Sequence, residues 1–220
     1  MLLFWKSTSG KVKQYPEEEH DEQNKKINET CCCTSLTVWR KSLLFSCKGF
    51  TVIGSDGSLL YRVDNYTGHP NQIILMDGSG NPIFTICKHK IWYQKLRLVD
   101  NWLIYEGEVG EDCSIKTTSK KPIYSVRKNL SIIQTNLNVL AYVYGGMSDK
   151  RYAYMIEGSY ANRSCRILDD SGRVVAEIKK KEAINGGVTY GLEVFLLIVR
   201  PGFDSRFAMA IVLLLDQMFS

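Results

Sequence analysis

The sequence predicts a mainly β protein in which roughly a dozen antiparallel strands are followed by one C-terminal helix. Two observations lead to this fold class. Between residues 36 and 200, short runs of β-branched and aromatic residues alternate with Gly, Asp, Asn and Pro, which is typical of strands joined by tight turns. No convincing amphipathic helix separates these runs. The strands are therefore expected to pair antiparallel, in a barrel or a sandwich.

Composition excludes several other classes of protein. The chain has 220 residues, of which 45% are apolar and 23% are charged, with a net charge of +5. This apolar content is too high for a mainly disordered protein, and no long apolar run marks a polytopic membrane protein. Seven cysteines are too few for a disulfide scaffold in a chain of this length. We therefore expect a soluble, mildly basic globular protein.

Residues 1–34 are predicted to be a disordered tail, and residues 35–220 the folded domain. The tail is rich in Glu, Asp and Lys and has almost no apolar residue after Tyr15, so it cannot bury enough surface to offset its chain entropy. The apolar patch of residues 1–5 is too short for a secretory signal. We expect a cytoplasmic location, with membrane association or nuclear entry as alternatives.

Three adjacent cysteines, Cys31, Cys32 and Cys33, lie where the tail meets the first predicted strand. The simpler interpretation is three reduced thiols on a loose segment. The alternative is S-palmitoylation, which requires accessible cysteines near a membrane. Since one acyl chain anchors a protein only weakly, this alternative also requires a second membrane signal.

The predicted strands are the runs at residues 37–39, 50–53, 59–63, 73–76, 83–86, 102–105, 123–126, 141–144, 152–156, 165–168, 174–178 and 192–199. Three of the connections resemble one another, since each places Asp, Ser and Gly between apolar pairs. These connections begin at Asp56, Asp77 and Asp169 and are predicted to be hairpin turns in which Gly or Asp is left-handed. They lack the ligand pattern of a calcium loop.

The last segment changes from a strand pattern to a helix pattern. Pro201 and Gly202 end the preceding strand, and Asp204 is a good helix N-cap. Every residue from 207 to 215 is apolar, so a helix there has no polar face and belongs in a protein core or in a membrane. A spanning helix needs ~20 apolar residues, about twice this run. The helix is therefore predicted to lie inside the sheet.

Several blocks of the sequence, in this order, resemble the plant LURP-one-related family. They are residues 36–45, 49–52, 56–57, 61–66, 75–77, 102–107 and 200–204, the last reading Arg-Pro-Gly-Phe-Asp, followed by the apolar terminal helix. The resemblance implies a tubby-like fold, a closed antiparallel barrel of twelve strands around a C-terminal helix. Tubby C-terminal domains and phospholipid scramblases share this fold. The resemblance also implies a plant protein connected to defence.

Catalytic and metal-binding constellations are absent from the sequence, so we predict no enzyme, no metal and no cofactor. The three histidines, His20, His69 and His89, are far apart and lack ligand spacing. Glu106 and Glu108 share one face of a strand, which allows a carboxylate pair but favours a solvated sheet edge. Small buried hydrophobes are the predicted role of Cys47, Cys87, Cys113 and Cys165.

Basic residues at strand ends are the remaining candidates for a site. Lys88, Lys90, Lys179, Lys180 and Lys181 could converge on one rim of the barrel as a patch for anionic lipid headgroups. The alternative is scattered solubilising charge. No headgroup-binding residue of tubby domains can be placed on this sequence. The aromatic residues are expected in the core rather than in a nucleic-acid interface, so no nucleic-acid partner is predicted.

These observations predict a non-enzymatic, monomeric binding or tethering module that acts close to a membrane. Its partner would be a phosphoinositide or other anionic phospholipid headgroup, or an unidentified protein. One alternative is a membrane-tethered, transcription-related regulator of the tubby type. Lipid scrambling is a third hypothesis, but the terminal helix is too short to enter a bilayer as a span.

Overall fold

The computed structural model describes residues 33–45, 47–64, 72–93, 97–110, 120–129, 138–147, 149–182 and 190–219, with the backbone alone at residues 91–93 and 97–99. The predicted tail lies outside the described residues, except for its last two positions. Cys31, Cys32, Cys113, His20 and His69 also lie outside them. The predictions made for those residues therefore stay predictions.

The described chain forms a closed barrel. Its elements are β1 (Thr34–Trp39), β2 (Gly49–Ile53), β3 (Leu59–Asp64), β4 (Gln72–Asp77), β5 (Pro82–Tyr93), β6 (Arg97–Glu106), β7 (Tyr124–Lys128), β8 (Val139–Tyr144), β9 (Tyr154–Ser159), β10 (Ser164–Asp169), β11 (Val174–Lys180), β12 (Val194–Val199) and α1 (Ser205–Phe219). Each strand pairs antiparallel with the next along the chain, and β1 pairs with β12. The predicted barrel of twelve antiparallel strands is confirmed.

Alternating burial along the strands explains how the sequence builds the wall. In β8 every second residue is buried, and β12 shows the same alternation, with Phe195, Leu197 and Val199 turned inward. Successive side chains on a strand point to opposite faces of the sheet. A run of apolar residues at alternate positions therefore becomes the inner face of the barrel.

The three recurring Asp-containing connections are hairpin turns, as predicted. In one of them the Asp169 carboxylate accepts the Ser171 N–H at 3.0 Å, and Gly172 has a φ of 81°, a conformation that costs glycine little. The hydrogen bond from the Ser171 hydroxyl, together with those from Arg173, lowers the pKa of Asp169 to about 2. The other two turns have left-handed Gly57 and Gly80.

The helix α1 is enclosed by the barrel. Asp204 caps its start, since a carboxylate oxygen accepts the Arg206 N–H at 2.9 Å. Residues 207–216 are all buried, and ten consecutive residues cover every face of a helix. The N-cap and the internal position of the helix are thus confirmed. Within the described part of the chain, no helix has the length and apolar character that crossing a bilayer requires.

The cysteines differ from the prediction at two of the three described strand positions. Cys165 is buried as expected, and its burial raises the pKa of the thiol to about 12. Cys87 is also fully buried, but it is disulfide-bonded and not a simple hydrophobe. Cys47 is half-exposed because it precedes β2 in the chain and does not face the core.

The two ends of the barrel can be told apart by the direction of α1. We call the end at which α1 begins the N-terminal rim and the end at which it finishes the C-terminal rim. Odd-numbered strands finish at the C-terminal rim and even-numbered strands begin there, because neighbours run antiparallel. At this rim the wall is incomplete, since the described β3–β4 ladder stops at Arg62 and Met76.

Candidate binding site at the C-terminal rim

A cavity of about 610 Å³ opens at the C-terminal rim, between the ends of β1, β2, β3, β4 and β12 and the end of α1. Its volume lies within the roughly 300–1,000 Å³ that ligand sites usually occupy. Phe50, Val63 and Leu213 give it an apolar floor, and Lys41 and Lys48 lie at its sides. It is formed where the β3–β4 ladder has stopped, so part of the helix contributes to its lining.

One buried carboxylate in the cavity is already neutralised. The side chain of Asp64 has no exposed surface, and its Oδ2 lies 3.0 Å from the Nε of Arg62. The Ser42 hydroxyl also donates a hydrogen bond to Asp64. Because Arg62 balances its charge and the side chain is fully buried, we assign Asp64 to the structure of the rim.

A second carboxylate, Asp216 on α1, is neutralised in the same way. The Nε of Arg40 lies 2.9 Å from its Oδ1, and the Tyr160 hydroxyl donates a hydrogen bond to the same oxygen at 3.1 Å. Burial, and after it the charge of Asp216, raises the pKa of Tyr160, so this phenol keeps its proton and donates a hydrogen bond. Arg40 also lies 3.6 Å from the exposed Glu193.

Arg163 supports this ion pair from the β9–β10 turn. Its side chain is buried and lies over the rings of Tyr160 and Phe195, with its guanidinium carbon 4.2 and 4.5 Å from their centroids. Its Nε donates to the Leu192 carbonyl at 2.9 Å. With a φ of 50°, its backbone is in a region that few residues other than glycine adopt. These contacts hold Tyr160 against Asp216.

Lys41 and Lys48 are the remaining cations of the cavity. Neither belongs to any ion pair formed among the described residues. Lys41 has its ammonium 5.3 Å from the centroid of the Trp39 ring, which positions it without neutralising its charge. The cavity therefore offers two unneutralised ammonium groups above an apolar floor.

The five lysines of the sequence-predicted patch reach this rim as two separate groups. Lys88 and Lys90 lie on β5, whereas Lys179 and Lys180 lie on β11 and Lys181 follows it. In the barrel order these two strands are six places apart in either direction, so they lie on opposite sides. The strands that line the cavity lie between the two groups, on one half of the rim.

Three of these five lysines have partners that limit their freedom. They are Lys88, which lies 2.9 Å from Asp100, Lys179, which lies 2.5 Å from Glu177, and Lys181, which donates to the Thr37 hydroxyl at 3.1 Å. Lys90 and Lys180 are exposed. The lysines thus flank the cavity and do not form a single contiguous patch.

Sequence analysis missed Arg40, Lys41 and Lys48, which lie nearer to the cavity than the predicted lysines. A signal for them was present. Arg40 and Lys41 directly follow β1, and Lys48 directly precedes β2. In an antiparallel meander the end of one strand and the start of the next share a rim, so strand counting alone places these residues at the same rim as the ends of β5 and β11.

The other candidates do not join this site. Glu106 and Glu108 are both exposed, and Lys120 donates to their backbone carbonyl oxygens at 3.2 and 3.0 Å. Cys33 directly precedes β1, so it lies at the N-terminal rim, at the far end of the barrel from the cavity. No group of three or more His, Cys, Asp or Glu side chains in the described ranges could hold a metal ion.

The fold defines the class of protein, which is a closed antiparallel β-barrel filled by its own C-terminal helix. Residues 34–216 match the family model described as LURP-one-related, and the chain belongs to that family. It is 51% identical to Protein LURP-one-related 17 of Arabidopsis thaliana, over 86% of this chain and 84% of that protein. It is 46% identical to Protein LURP-one-related 8 of the same plant, over 84% and 86% of the two chains.

A solved structure supports the fold. The X-ray structure of another protein from Arabidopsis thaliana aligns with a TM-score of 0.56 over 84% of this chain and 90% of that one. The two sequences are 22% identical in this alignment. At that identity the likeness concerns the barrel and not the cavity.

Proposed function

We propose that this protein is a non-enzymatic binding module that holds the anionic headgroup of a phospholipid, of the phosphoinositide class, at its C-terminal rim. The observation that carries the proposal is the cavity of about 610 Å³ in which Lys41 and Lys48 remain unneutralised. Ammonium groups bind phosphate oxygens through charge-assisted hydrogen bonds. The exposed Lys90 and Lys180 flank the cavity and add to its attraction for anions.

A binding role accords with the chemistry of the described residues better than an enzymatic one. The buried carboxylates Asp64 and Asp216 are each paired with an arginine, which accords with structural roles for both. The names of the Arabidopsis relatives state no enzymatic activity. We extend the proposal to a role in plant defence, on the family resemblance, with the protein acting at the cytoplasmic face of a membrane.

Vesicle flotation tests the proposal. The full chain is floated with phosphatidylcholine vesicles that either contain or lack phosphatidylinositol bisphosphate. We expect flotation only with the phosphoinositide and a decrease as salt is added. Since a basic residue near an anionic surface contributes about 1 kcal/mol, a Lys41→Ala/Lys48→Ala variant should bind about 30-fold more weakly.

The matched control is Lys150→Ala/Arg151→Ala, which removes two exposed charges at the N-terminal rim. It should float like the wild type. A third variant, with Lys179, Lys180 and Lys181 changed to alanine, measures how much the flanking lysines add. If the wild type fails to float, the lipid proposal is wrong, and a protein partner becomes the better hypothesis. Equal loss in the rim variant and the control would mean that binding is nonspecific.

A further inference from the structure

The loop between β1 and β2, described at residues 40–45 and 47–48, exposes apolar side chains to solvent. Phe45 is 99% exposed and Leu43 is 52% exposed. Single exposed apolar residues are common, but a group of them on one part of a surface usually marks an interaction site. At the same rim, Trp39 at the end of β1 and Tyr190 and Leu192 before β12 are 39%, 44% and 46% exposed.

The loop is held in place by hydrogen bonds. The Thr51 hydroxyl donates to the Lys41 carbonyl at 2.7 Å, the Leu44 N–H to the Ser42 hydroxyl at 3.0 Å, and the Cys47 N–H to the Leu44 carbonyl at 3.3 Å. Ser42 is in turn bonded to the buried Asp64. The backbone therefore presents Leu43 and Phe45 outward in a defined arrangement, which reduces the entropy lost when they are buried by a partner.

The charges beside this group indicate what the partner is. Arg40 and Lys41 precede Leu43, and Lys48 follows Phe45. Apart from Arg40, which is bonded to Asp216 and also lies near Glu193, these cations have no carboxylate partner among the described residues. Exposed aromatic and aliphatic side chains bordered by lysines fit the boundary of an anionic bilayer, where the apolar groups enter the lipid and the ammonium groups stay at the phosphates.

We propose that Leu43 and Phe45 form a wedge that inserts into the acyl region of an anionic membrane while Lys41 and Lys48 remain at the phosphates. The inference rests on the proposed function and makes it more specific, since the partner becomes the bilayer itself and not a free headgroup. The cavity and the wedge share the C-terminal rim, so one orientation of the barrel serves both. The N-terminal rim then faces away from the membrane.

Removal of the wedge separates the two proposals. In a Phe45→Ser variant, loss of the buried aromatic side chain should weaken binding to vesicles of phosphatidylcholine and phosphatidylinositol bisphosphate about tenfold or more. Binding of soluble inositol trisphosphate should be unchanged, because Lys41 and Lys48 are retained. The matched control is Met147→Ser, at a residue 43% exposed between β8 and β9 at the opposite rim. It should affect neither measurement.

Depth of insertion provides a second readout. A Phe45→Trp variant should show more fluorescence quenching than the wild type in vesicles with brominated acyl chains, and a Met147→Trp variant should show no increase. Since residue 45 is almost fully exposed, neither change at that position should alter thermal stability.

The outcomes are distinct. Wild-type affinity of Phe45→Ser for vesicles, or no added quenching of Phe45→Trp, would overturn the wedge and leave headgroup binding standing. Loss of both vesicle and inositol trisphosphate binding in Phe45→Ser would also overturn it, because the loop would then act on the cavity. If the wild type binds neither probe, both proposals fail together.

Discussion

At the scale of single residues, Asp216 is a buried carboxylate that requires partners within the core. It is a carboxylate on a helix whose preceding nine residues are apolar and buried. Transfer of an unpaired charge from water into such an environment costs several kcal/mol. Arg40 enters from the rim to neutralise the carboxylate, and the Tyr160 hydroxyl satisfies it further. The pair therefore fixes both the depth and the rotation of α1 within the barrel.

Removal of one member of this pair should be costly, and removal of both much less so. Arg40→Met removes the Arg40 cation from beside Asp216, and we expect a loss of roughly 3 kcal/mol in the free energy of unfolding, measured with urea. The double variant Arg40→Met/Asp216→Leu should recover at least half of that loss. The control Arg166→Met breaks an exposed pair with Glu157 and should cost below about 1 kcal/mol. Additive effects of the two changes would contradict the coupling.

His89 should make the protein less stable in mild acid. Burial lowers the pKa of His89 below its ordinary value of 6.5, so the unfolded chain binds a proton more readily than the folded one. Stability from this group is present above pH 6.5 and decreases as the pH falls below it. A His89→Gln variant should lose less unfolding free energy than the wild type between about pH 7.5 and about pH 5. An equal loss would assign the acid sensitivity to other groups.

At the scale of elements, α1 forms the centre of the core that the strands surround. Residues 207–215 are no more than 3% exposed, and they fill the space between the inner faces of the strands. A buried Leu or Ile stabilises a protein by roughly 1.5–3 kcal/mol. A single helix thus supplies much of the apolar surface that the strands cover.

A charge in the middle of this helix should therefore prevent folding. Leu213→Asp places an unpaired carboxylate at a position that is 1% exposed, and we expect no soluble folded protein. Leu213→Met keeps the volume and the apolar character, so it should cost less than about 1.5 kcal/mol. Thermal melting followed by circular dichroism compares the two. A cooperative transition of the aspartate variant near that of the wild type would mean that the helix does not lie where we place it.

The elements were predictable because their signals are local. Pro201 and Gly202 separate the strand run at residues 192–199 from the helix after Asp204. The spacing of the apolar residues and the length of each run predict the other elements. The site was less predictable because it depends on strand order and ladder length. Nothing in the pattern around Arg62 indicates that the β3–β4 ladder stops there, and exposure of Phe45 follows from the path of one loop. From the sequence alone, an apolar residue in that loop is expected to be buried as readily as exposed.

At the scale of the whole molecule, strands and helix share a single core. Buried residues from every strand of the barrel and from α1 belong to one continuous cluster, so none of these elements retains its packing when the others are lost. A small satellite cluster around Cys87 and Leu103 lies apart from it. The barrel and the helix should therefore behave as one thermodynamic unit.

Unfolding should accordingly be a single cooperative step. Thermal transitions of far-UV circular dichroism, which reports the helix and the strands, should coincide with those of tryptophan fluorescence, which includes the buried Trp102 of β6. The same comparison on the Leu213→Met variant should show both transitions displaced together. An early, separate loss of the helical signal would contradict a shared core.

The order of the elements along the chain has a consequence for biosynthesis. The ribosome releases all twelve strands before the helix that fills them, and β1 must wait for β12 before the wall can close. During that interval the inner faces of the nascent strands have nothing to pack against, and such surfaces and open edges favour aggregation. We therefore expect the barrel to fold only after α1 has left the ribosome, with chaperones shielding the unfinished barrel until then.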